Sequence, residues 1–159
     1  LKNSHRQPFF IFDIFKVFCL EQIKLKSLKG YNCFDFVFKV GRKISNQDAL
    51  MIVSKKNIEQ LAHKNIEIVG EKTIFFGVTV PKKIAKKAVM RNRIKRLLRV
   101  SIIQYFNSIP NQDIQLKYLI FVWRQVPKHP ALINLNDVYP TVEGLLNKYL
   151  KINKNGFAN

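Results

Sequence analysis

Three stretches of the chain place apolar residues in the patterns that are typical of β-strands. Residues 74–80 alternate large apolar residues with Gly77 and Thr79, which is the period of a half-buried strand, and Pro81 ends it. Residues 118–123 and 49–54 are short apolar runs without helical spacing. The pattern therefore predicts strands in these three places, as members of a single sheet of about four strands.

Helical spacing appears in three other stretches. Phe34, Val37 and Phe38 predict a short amphipathic helix over residues 32–40, closed by Gly41 as a C-cap residue. A long helix is predicted over residues 87–106, and a final helix that ends at about residue 150 has Asp137 or Thr141 as its cap. This order of elements predicts an α+β fold, an α/β sandwich in which three helices pack on one sheet.

The ends of the chain and one connection fall outside these patterns. We interpret residues 1–28 as an N-terminal extension with a stripe of phenylalanines of unknown role, residues 29–151 as the folded domain, and residues 152–159 as a basic and polar tail. Residues 57–71 are predicted to form a connection. Asp13 and Lys16 interrupt the apolar run 8–20, which is too short to span a bilayer, so no membrane segment is expected.

Charge narrows the class of partner. The 159 residues contain 28 Lys and Arg against 10 Asp and Glu, a formal net charge of +18. Between Glu71 and Asp113 the chain has ten basic residues and no acidic one. Such a surface favours a polyanion, and nucleic acid is the expected partner, with a localisation signal or a ribosomal contact as the alternatives.

The basic stretch has one cationic face when it is drawn as a helix. Stepping about 100° per residue places Arg91, Asn92, Lys95, Arg96 and Arg99 within an arc of about 140°. Apolar residues project from the opposite arc, and Arg93 falls at the border. Because residues 82–99 hold nine cations and no anion, we interpret this face as a phosphate-binding surface and not as a solvated face of mixed charge.

Side chains for protein-based catalysis or metal binding are sparse. Cys19 and Cys33 form no C-x-x-C pair, which favours a reduced, cytoplasmic setting. His5, His63 and His129 are scattered, and no Asp-x-Asp motif or carboxylate cluster is present to hold two metal ions. The sequence therefore predicts no catalytic residue in the protein and no metal site.

Residues 76–99, FGVTVPKKIAKKAVMRNRIKRLLR, resemble the signature of the bacterial ribonuclease P protein family, with Arg91-Asn-Arg-x-Lys-Arg-x-x-Arg99 as its core. Phe34-x-x-Val-Phe-Lys-x-Gly41 is similar to the first helix of that family. The resemblance spans residues 28–151. It implies a fold like domain 2 of ribosomal protein S5, with a left-handed βαβ crossover, although such connections are right-handed by strong default.

The resemblance also implies a role. In this family the protein joins a catalytic RNA, and the complex, which requires Mg²⁺ held mainly by the RNA, removes the 5′ leader of precursor tRNA. The protein is expected to be monomeric outside that complex. The residues that match the RNA-binding surface are Lys82, Lys83, Arg91, Asn92, Arg93, Lys95, Arg96 and Arg99.

A second surface is implied by the same resemblance, a cleft between the first helix and the sheet that holds the single-stranded leader. Its matching residues are Phe34, Phe38 and Lys39, although phenylalanines at this spacing are more often core residues. The strand at 49–53 lacks the aromatic residue expected there, and Phe75, placed on the neighbouring strand, is the candidate substitute. Pro81 replaces the small residue common before the two lysines.

Two other functions remain open at this level. A ribosomal or general RNA-binding protein without processing activity would use the same cationic helix for phosphate contacts. A membrane-associated protein would use the apolar segment 8–20.

Overall fold

The structure is a computed structural model, and it describes residues 23–56, 72–109, 114–125 and 132–155. The phenylalanine stripe of residues 9–18, the connection 57–71 and the last residues of the tail lie outside this part of the chain. The described elements are, in chain order, β1 (Lys24–Ser27), α1 (Tyr31–Val40), β2 (Arg42–Ser45), β3 (Ala49–Ser54), β4 (Thr73–Thr79), α2 (Ala88–Ser108), β5 (Tyr118–Trp123) and α3 (Leu135–Asn155).

The five strands form one mixed sheet in the order β1-β4-β5-β3-β2. β1, β4 and β5 run parallel, whereas β3 is antiparallel to β5 and to β2. The α+β prediction of one sheet with three helices is confirmed. The sheet has five strands instead of about four, because β2 and the last residues of the segment assigned to the N-terminal extension, Lys24–Ser27, form the two edges.

The main core lies on one face of the sheet, beneath α2 and α3. Ile94 and Leu98 of α2 and Phe121 and Trp123 of β5 are fully buried there. These residues come from alternate positions of the strand and from one stripe of the helix, so the periodicity of the sequence generates the face directly. Helix α2 connects β4 to β5, which are adjacent and parallel. The left-handed crossover of this connection stays a prediction.

The opposite face of the sheet is covered by α1 alone among the described helices. Val37 of α1 packs on Ile52 of β3 and Ile120 of β5, all fully buried. Cys33 is a buried free thiol in the same cluster, and burial raises its pKa. Because one ten-residue helix covers five strands, much of this face is only partly buried, which leaves room for a groove beside α1.

Gly41 ends α1, as predicted, but not for the predicted reason. Its φ of −72° lies in the extended region, so no left-handed C-cap is formed. A Cβ at this position would lie 2.5 Å from Ile52 Cγ2 and 2.5 Å from the Val37 carbonyl oxygen. The glycine is therefore required because α1 turns into β2 directly against β3.

The last helix starts earlier than either predicted cap. Its first residue is Leu135, and Asp137 Oδ2 accepts a hydrogen bond of 2.8 Å from the Asn134 N–H, the reciprocal half of a capping box. Thr141 lies inside the helix, where its hydroxyl donates to Asp48 Oδ2 at 3.2 Å. Asp137 thus contributes to the cap from the first turn, and Thr141 links α3 to the turn between β2 and β3.

Candidate RNA interface

The cationic signature begins at a tight turn where β4 ends. The N–H groups of Ile84 and Ala85 both donate to the Pro81 carbonyl, at 3.0 and 3.2 Å, and α2 starts at Ala88. Lys82 and Lys83 lie on this turn and are exposed. The turn therefore presents both lysines beside the first residues of α2.

Arg91 holds this turn in place. Its Nη1 donates to the carbonyl oxygens of Ala85 at 2.9 Å and Lys86 at 2.7 Å. The side chain is partly buried and lies at the edge of the helix face that packs on the sheet. One nitrogen of the predicted phosphate fork is thus already bonded within the protein, so Arg91 positions the turn that carries Lys82 and Lys83.

Arg93, expected at the border of the two faces, is exposed and joins α2 to the start of α3. Its Nε donates to the Ile133 carbonyl at 3.1 Å, and Nη2 donates to Asn134 Oδ1 at 3.4 Å. The bond to Ile133 spans 40 residues of sequence. The arginine therefore fixes the orientation of α2 relative to α3.

The other members of the signature point into solvent. Asn92, Arg96 and Arg99 are exposed, and Lys95 is partly exposed. Within the described ranges, none of these four side chains has a hydrogen-bond or ion-pair partner. The exposed arc also includes Val89, which is 72% exposed, together with Val100 and Ile103. The helical projection puts Arg91 on the exposed face of α2. In the structure Arg91 is partly buried, and the exposed face includes Val89, Val100 and Ile103 instead.

Across the described residues one ion pair is formed, between Lys39 and Asp35 on α1. The cations of α2 and of the preceding turn are consequently not neutralised by described carboxylates. They form a positive surface at the end of the sheet where β4 ends. Such a surface suits the negatively charged backbone of a nucleic acid.

Phe34 lies against the sheet on the face that α1 covers, which we call the cleft face. A Cβ on Gly77 would lie 2.5 Å from Phe34 Cζ and 2.7 Å from Cε1, so the ring rests directly on the backbone of β4. Phe34 remains partly exposed. The absence of a side chain at Gly77 is what allows the ring to reach the sheet.

Phe38 and Lys39 have different environments. Phe38 is partly buried against the cluster that α1 forms with the sheet. Lys39 is 73% exposed, and its Nζ lies 2.7 Å from Asp35 Oδ2 one helical turn earlier. The hydrogen bond and the charge of Asp35 raise the pKa of Lys39. Of the two, only Phe38 lies among the residues packed on the sheet.

Phe75 stacks on Tyr118, with ring centroids 5.7 Å apart and an interplanar angle of 26°. The prediction that Phe75 lies on the strand next to β3 was wrong, because β5 lies between β4 and β3. Tyr118 was missed as a member of this face. The alternation of β5 contains the signal, since Tyr118 and Ile120 point to the α1 face while Leu119 and Phe121 point to the main core.

The predicted residues thus form two surfaces on different sides of the sheet. α2 packs on one face and α1 on the other. β4 connects them, because Phe75 and Gly77 belong to the cleft face and the strand then leads into Pro81, Lys82 and Lys83.

The described ranges contain no group of three or more His, Cys, Asp or Glu side chains placed to hold a metal ion. None of the described helices is long and apolar enough to cross a membrane.

Comparison with known proteins identifies one family. The family model described as Ribonuclease P matches residues 23–138. The ribonuclease P protein component of Prochlorococcus marinus is 34% identical over 71 residues, which are 45% of this chain and 55% of that protein. That of Rickettsia felis is 29% identical over 106 residues, which are 67% of this chain and 80% of the relative.

A solved structure has the same fold. The ribonuclease P protein of Thermotoga maritima superposes with a TM-score of 0.55 and 19% sequence identity, covering 77% of this chain and 96% of that one. At this level of identity the match concerns the fold, including the mixed sheet with helices on both faces.

Proposed function

Because this chain belongs to the ribonuclease P protein family, we propose that it is the protein subunit of ribonuclease P and that it binds the catalytic RNA through α2 and the preceding turn. The complex would remove the 5′ leader of precursor tRNA. The observation that carries this proposal is the row of exposed polar and cationic side chains on α2 that bond no described residue, directly beside the lysines that follow β4.

The chemistry of these side chains fits phosphate contacts. Arg96 and Arg99 each offer a planar fork of donors that matches two phosphate oxygens, and Lys82, Lys83 and Lys95 add point charges. Contacts of this kind fix the position and orientation of a nucleic acid and carry no base sequence information. We assign to them the docking of the catalytic RNA.

Arg91 and Arg93 support this surface in a different way. Their hydrogen bonds to Ala85, Lys86 and Ile133 orient the turn and the helix, while their remaining N–H groups are available to the RNA. We therefore assign positioning as their first role and RNA contact as their second.

The cleft beside α1 is proposed to hold the single-stranded leader. Phe34 and Phe38 come from the helix, and Phe75 with Tyr118 comes from the sheet. Stacking of a base on an exposed aromatic ring contributes about 1 to 3 kcal/mol. Tyr118 is buried and supports Phe75 from below, whereas Phe34, Phe38 and Phe75 are partly exposed. We therefore expect bases to use the exposed parts of these three phenylalanine rings, with Lys39 at the rim.

The hydrolysis itself is assigned to the RNA. Mg²⁺ is the metal ion that the family implies, but the described residues offer no cluster of ligands that fits it, so no step in the protein is derived through the ion. In this proposal the protein holds and orients RNA and contributes no catalytic group.

The test is reconstitution with the cognate catalytic RNA at a Mg²⁺ concentration that is limiting for the RNA alone. We expect the protein to increase both the affinity for precursor tRNA and the rate of leader removal. A matched reaction with leaderless tRNA measures binding that does not depend on the cleft. If the protein changes neither binding nor cleavage of the precursor, the proposed function is wrong.

A further inference from the structure

A second group of cations lies at the end of the sheet remote from the signature. At this end β1, β4 and β5 begin and β3 ends. Four lysines lie at these strand ends, and we call them the distal basic cluster: Lys24, Lys55, Lys72 and Lys117. The seven residues of β4, about 23 Å of extended chain, separate this end from the turn that holds Lys82 and Lys83.

A cavity opens among these lysines. Its volume is about 340 Å³, and Lys55, Lys72 and Lys117 line it together with the polar side chains of Thr73 and Gln115. Lys55 Nζ donates to Gln115 Oε1 at 3.3 Å, which holds that ammonium group at the cavity wall. Isoleucine and leucine side chains form the rest of the lining. An apolar floor with a cationic rim suits a nucleotide, since the rim meets the phosphate and the floor meets the sugar or base.

Two of these lysines, Lys55 and Lys117, form no ion pair with any acidic residue that the structure describes. The four described carboxylates lie elsewhere: Asp35 pairs with Lys39, Asp48 bonds Thr141, Asp137 caps α3, and Glu143 lies on α3 near Tyr105. None of them lines the cavity. Lys55 and Lys117 therefore offer positive charge to a ligand at a place separate from α2.

The cavity lies at the end of the sheet where the Phe75–Tyr118 pair also lies, but it opens on the other face, because its lining residues Ile74 and Leu116 belong to the core beneath α2 and α3. The Phe75 N–H donates to the Lys117 carbonyl at 2.8 Å, and Tyr118 follows Lys117 in sequence. Lys26, paired with Phe75 across β1 and β4, lies beside the stacked rings on the same face of the sheet. A strand of RNA that passes α1 and the Phe75–Tyr118 pair would reach the distal basic cluster by turning around the end of the sheet where β4 and β5 begin.

We propose that the distal basic cluster, chiefly through Lys55 and Lys117, binds backbone phosphates of the leader nucleotides that lie beyond the Phe75–Tyr118 pair, farthest from the cleavage site. This inference rests on the proposed function, because it takes the α2 end as the end near the catalytic centre. The protein then holds the leader at two neighbouring places, the aromatic cleft and the distal cavity, while α2 and the turn after β4 hold the catalytic RNA.

The experiment measures the affinity of the reconstituted holoenzyme for precursors whose leaders are lengthened one nucleotide at a time. For the wild type, affinity rises with leader length until the distal cavity is filled and then levels off. In the double variant Lys55→Gln and Lys117→Gln, the affinity stops rising at a shorter leader length. For long leaders, the slope of the logarithm of the binding constant against the logarithm of salt concentration becomes shallower by about 1.4. This is about 0.7 for each of the two phosphate contacts to a single strand that the variant loses. Short leaders bind as they do to the wild type.

Two further variants separate specific contact from charge and from folding. Lys148→Gln with Lys151→Gln removes the same charge from exposed positions of α3 that do not line the cavity, and should leave the leader-length series unchanged. Lys55→Arg with Lys117→Arg keeps the charge and should restore the wild-type series.

Each contrary outcome has one meaning. A leader-length series that is the same in the glutamine variant and the wild type overturns the distal contact while leaving the proposed function intact. An equal loss for leaderless and long-leader substrates overturns the leader assignment and points to the catalytic RNA as the ligand. A wild-type protein that improves binding at no leader length contradicts the proposed function itself.

Discussion

Single residues decide which cations of the signature are exposed and have no partner among the described residues. The sequence pattern put Arg91 and Arg96 in one class, yet Arg91 donates to the carbonyls of Ala85 and Lys86 while Arg96 has no partner among the described residues. Residue type and helical spacing could predict the face. They could not predict which arginine the neighbouring turn would bind, because that depends on how the chain enters the helix.

The two arginines should therefore respond differently to replacement by alanine. Arg91→Ala removes two hydrogen bonds that hold the turn, and we expect the free energy of unfolding to fall by about 1 kcal/mol. Arg96→Ala removes an exposed side chain and should change it by less than about 0.5 kcal/mol. Urea unfolding of both variants checks this. Equal effects of the two substitutions would mean that the Arg91 bonds do not stabilise the turn.

Gly77 is the second residue whose role follows from contact and not from sequence. Alanine there would place its Cβ 2.5 Å from the Phe34 ring, so the ring must leave the surface of β4. We expect Gly77→Ala to cost about 1 kcal/mol or more of stability and to weaken leader binding.

Gly144 provides the matched control for this substitution. It lies within α3, and nothing lies within 4 Å of a Cβ built there. Gly144→Ala should stabilise the protein by up to about 1 kcal/mol, since alanine favours helix. Urea unfolding and leader titration of both variants test the pair. A stable Gly77→Ala protein with normal leader affinity would contradict the placement of Phe34.

At the scale of elements, the strands and helices with long apolar patterns were predicted from the sequence, whereas the short polar edge strands β1 and β2 were not. The strands at 74–80 and 118–123 and the two long helices have enough apolar residues to show a period. β1 and β2 have only Leu25 and Ile44 as aliphatic members, because edge strands are largely exposed and often basic. Their pairing depends on β4 and β3 and is therefore invisible in local sequence.

The packing of α2 on α3 should depend on alkaline pH. Tyr105 donates to Asn147 Oδ1 at 2.7 Å, and burial, followed by the charge of Glu143, raises its pKa to about 12. Burial also raises the pKa of Tyr149, whose hydroxyl donates to the Gln115 carbonyl. The pKa of an unfolded tyrosine is about 10. The stabilisation is thus complete below about pH 10 and is lost as pH rises toward about 12.

Urea unfolding at a series of alkaline pH values measures this dependence. The free energy of unfolding should decline above about pH 10. In Tyr105→Phe the decline should be smaller, although stability at neutral pH is lower because the hydrogen bond to Asn147 is removed. An identical decline in the variant would show that Tyr105 does not titrate with unfolding.

At the scale of the whole molecule, composition predicted a polyanion partner but not the arrangement of charge. The chain folds so that α2 and its turn lie at one end of β4 and the distal basic cluster lies at the other, with the aromatic cleft on the α1 face between them. Lys55, Lys72 and Lys117 are distant in sequence and form no motif. Only the mixed sheet order brings them to one cavity.

The central claim is that the exposed face of α2 binds the catalytic RNA. The most direct test is the salt dependence of that binding for the wild type, for Arg96→Ala with Arg99→Ala, and for Lys148→Ala with Lys151→Ala as the control of equal charge. We predict that the log–log slope of the arginine variant falls by about 1.4 to 1.8, which corresponds to two phosphate contacts, while the control keeps the wild-type slope. An unchanged slope in the arginine variant, or an equal fall in the control, would contradict this claim.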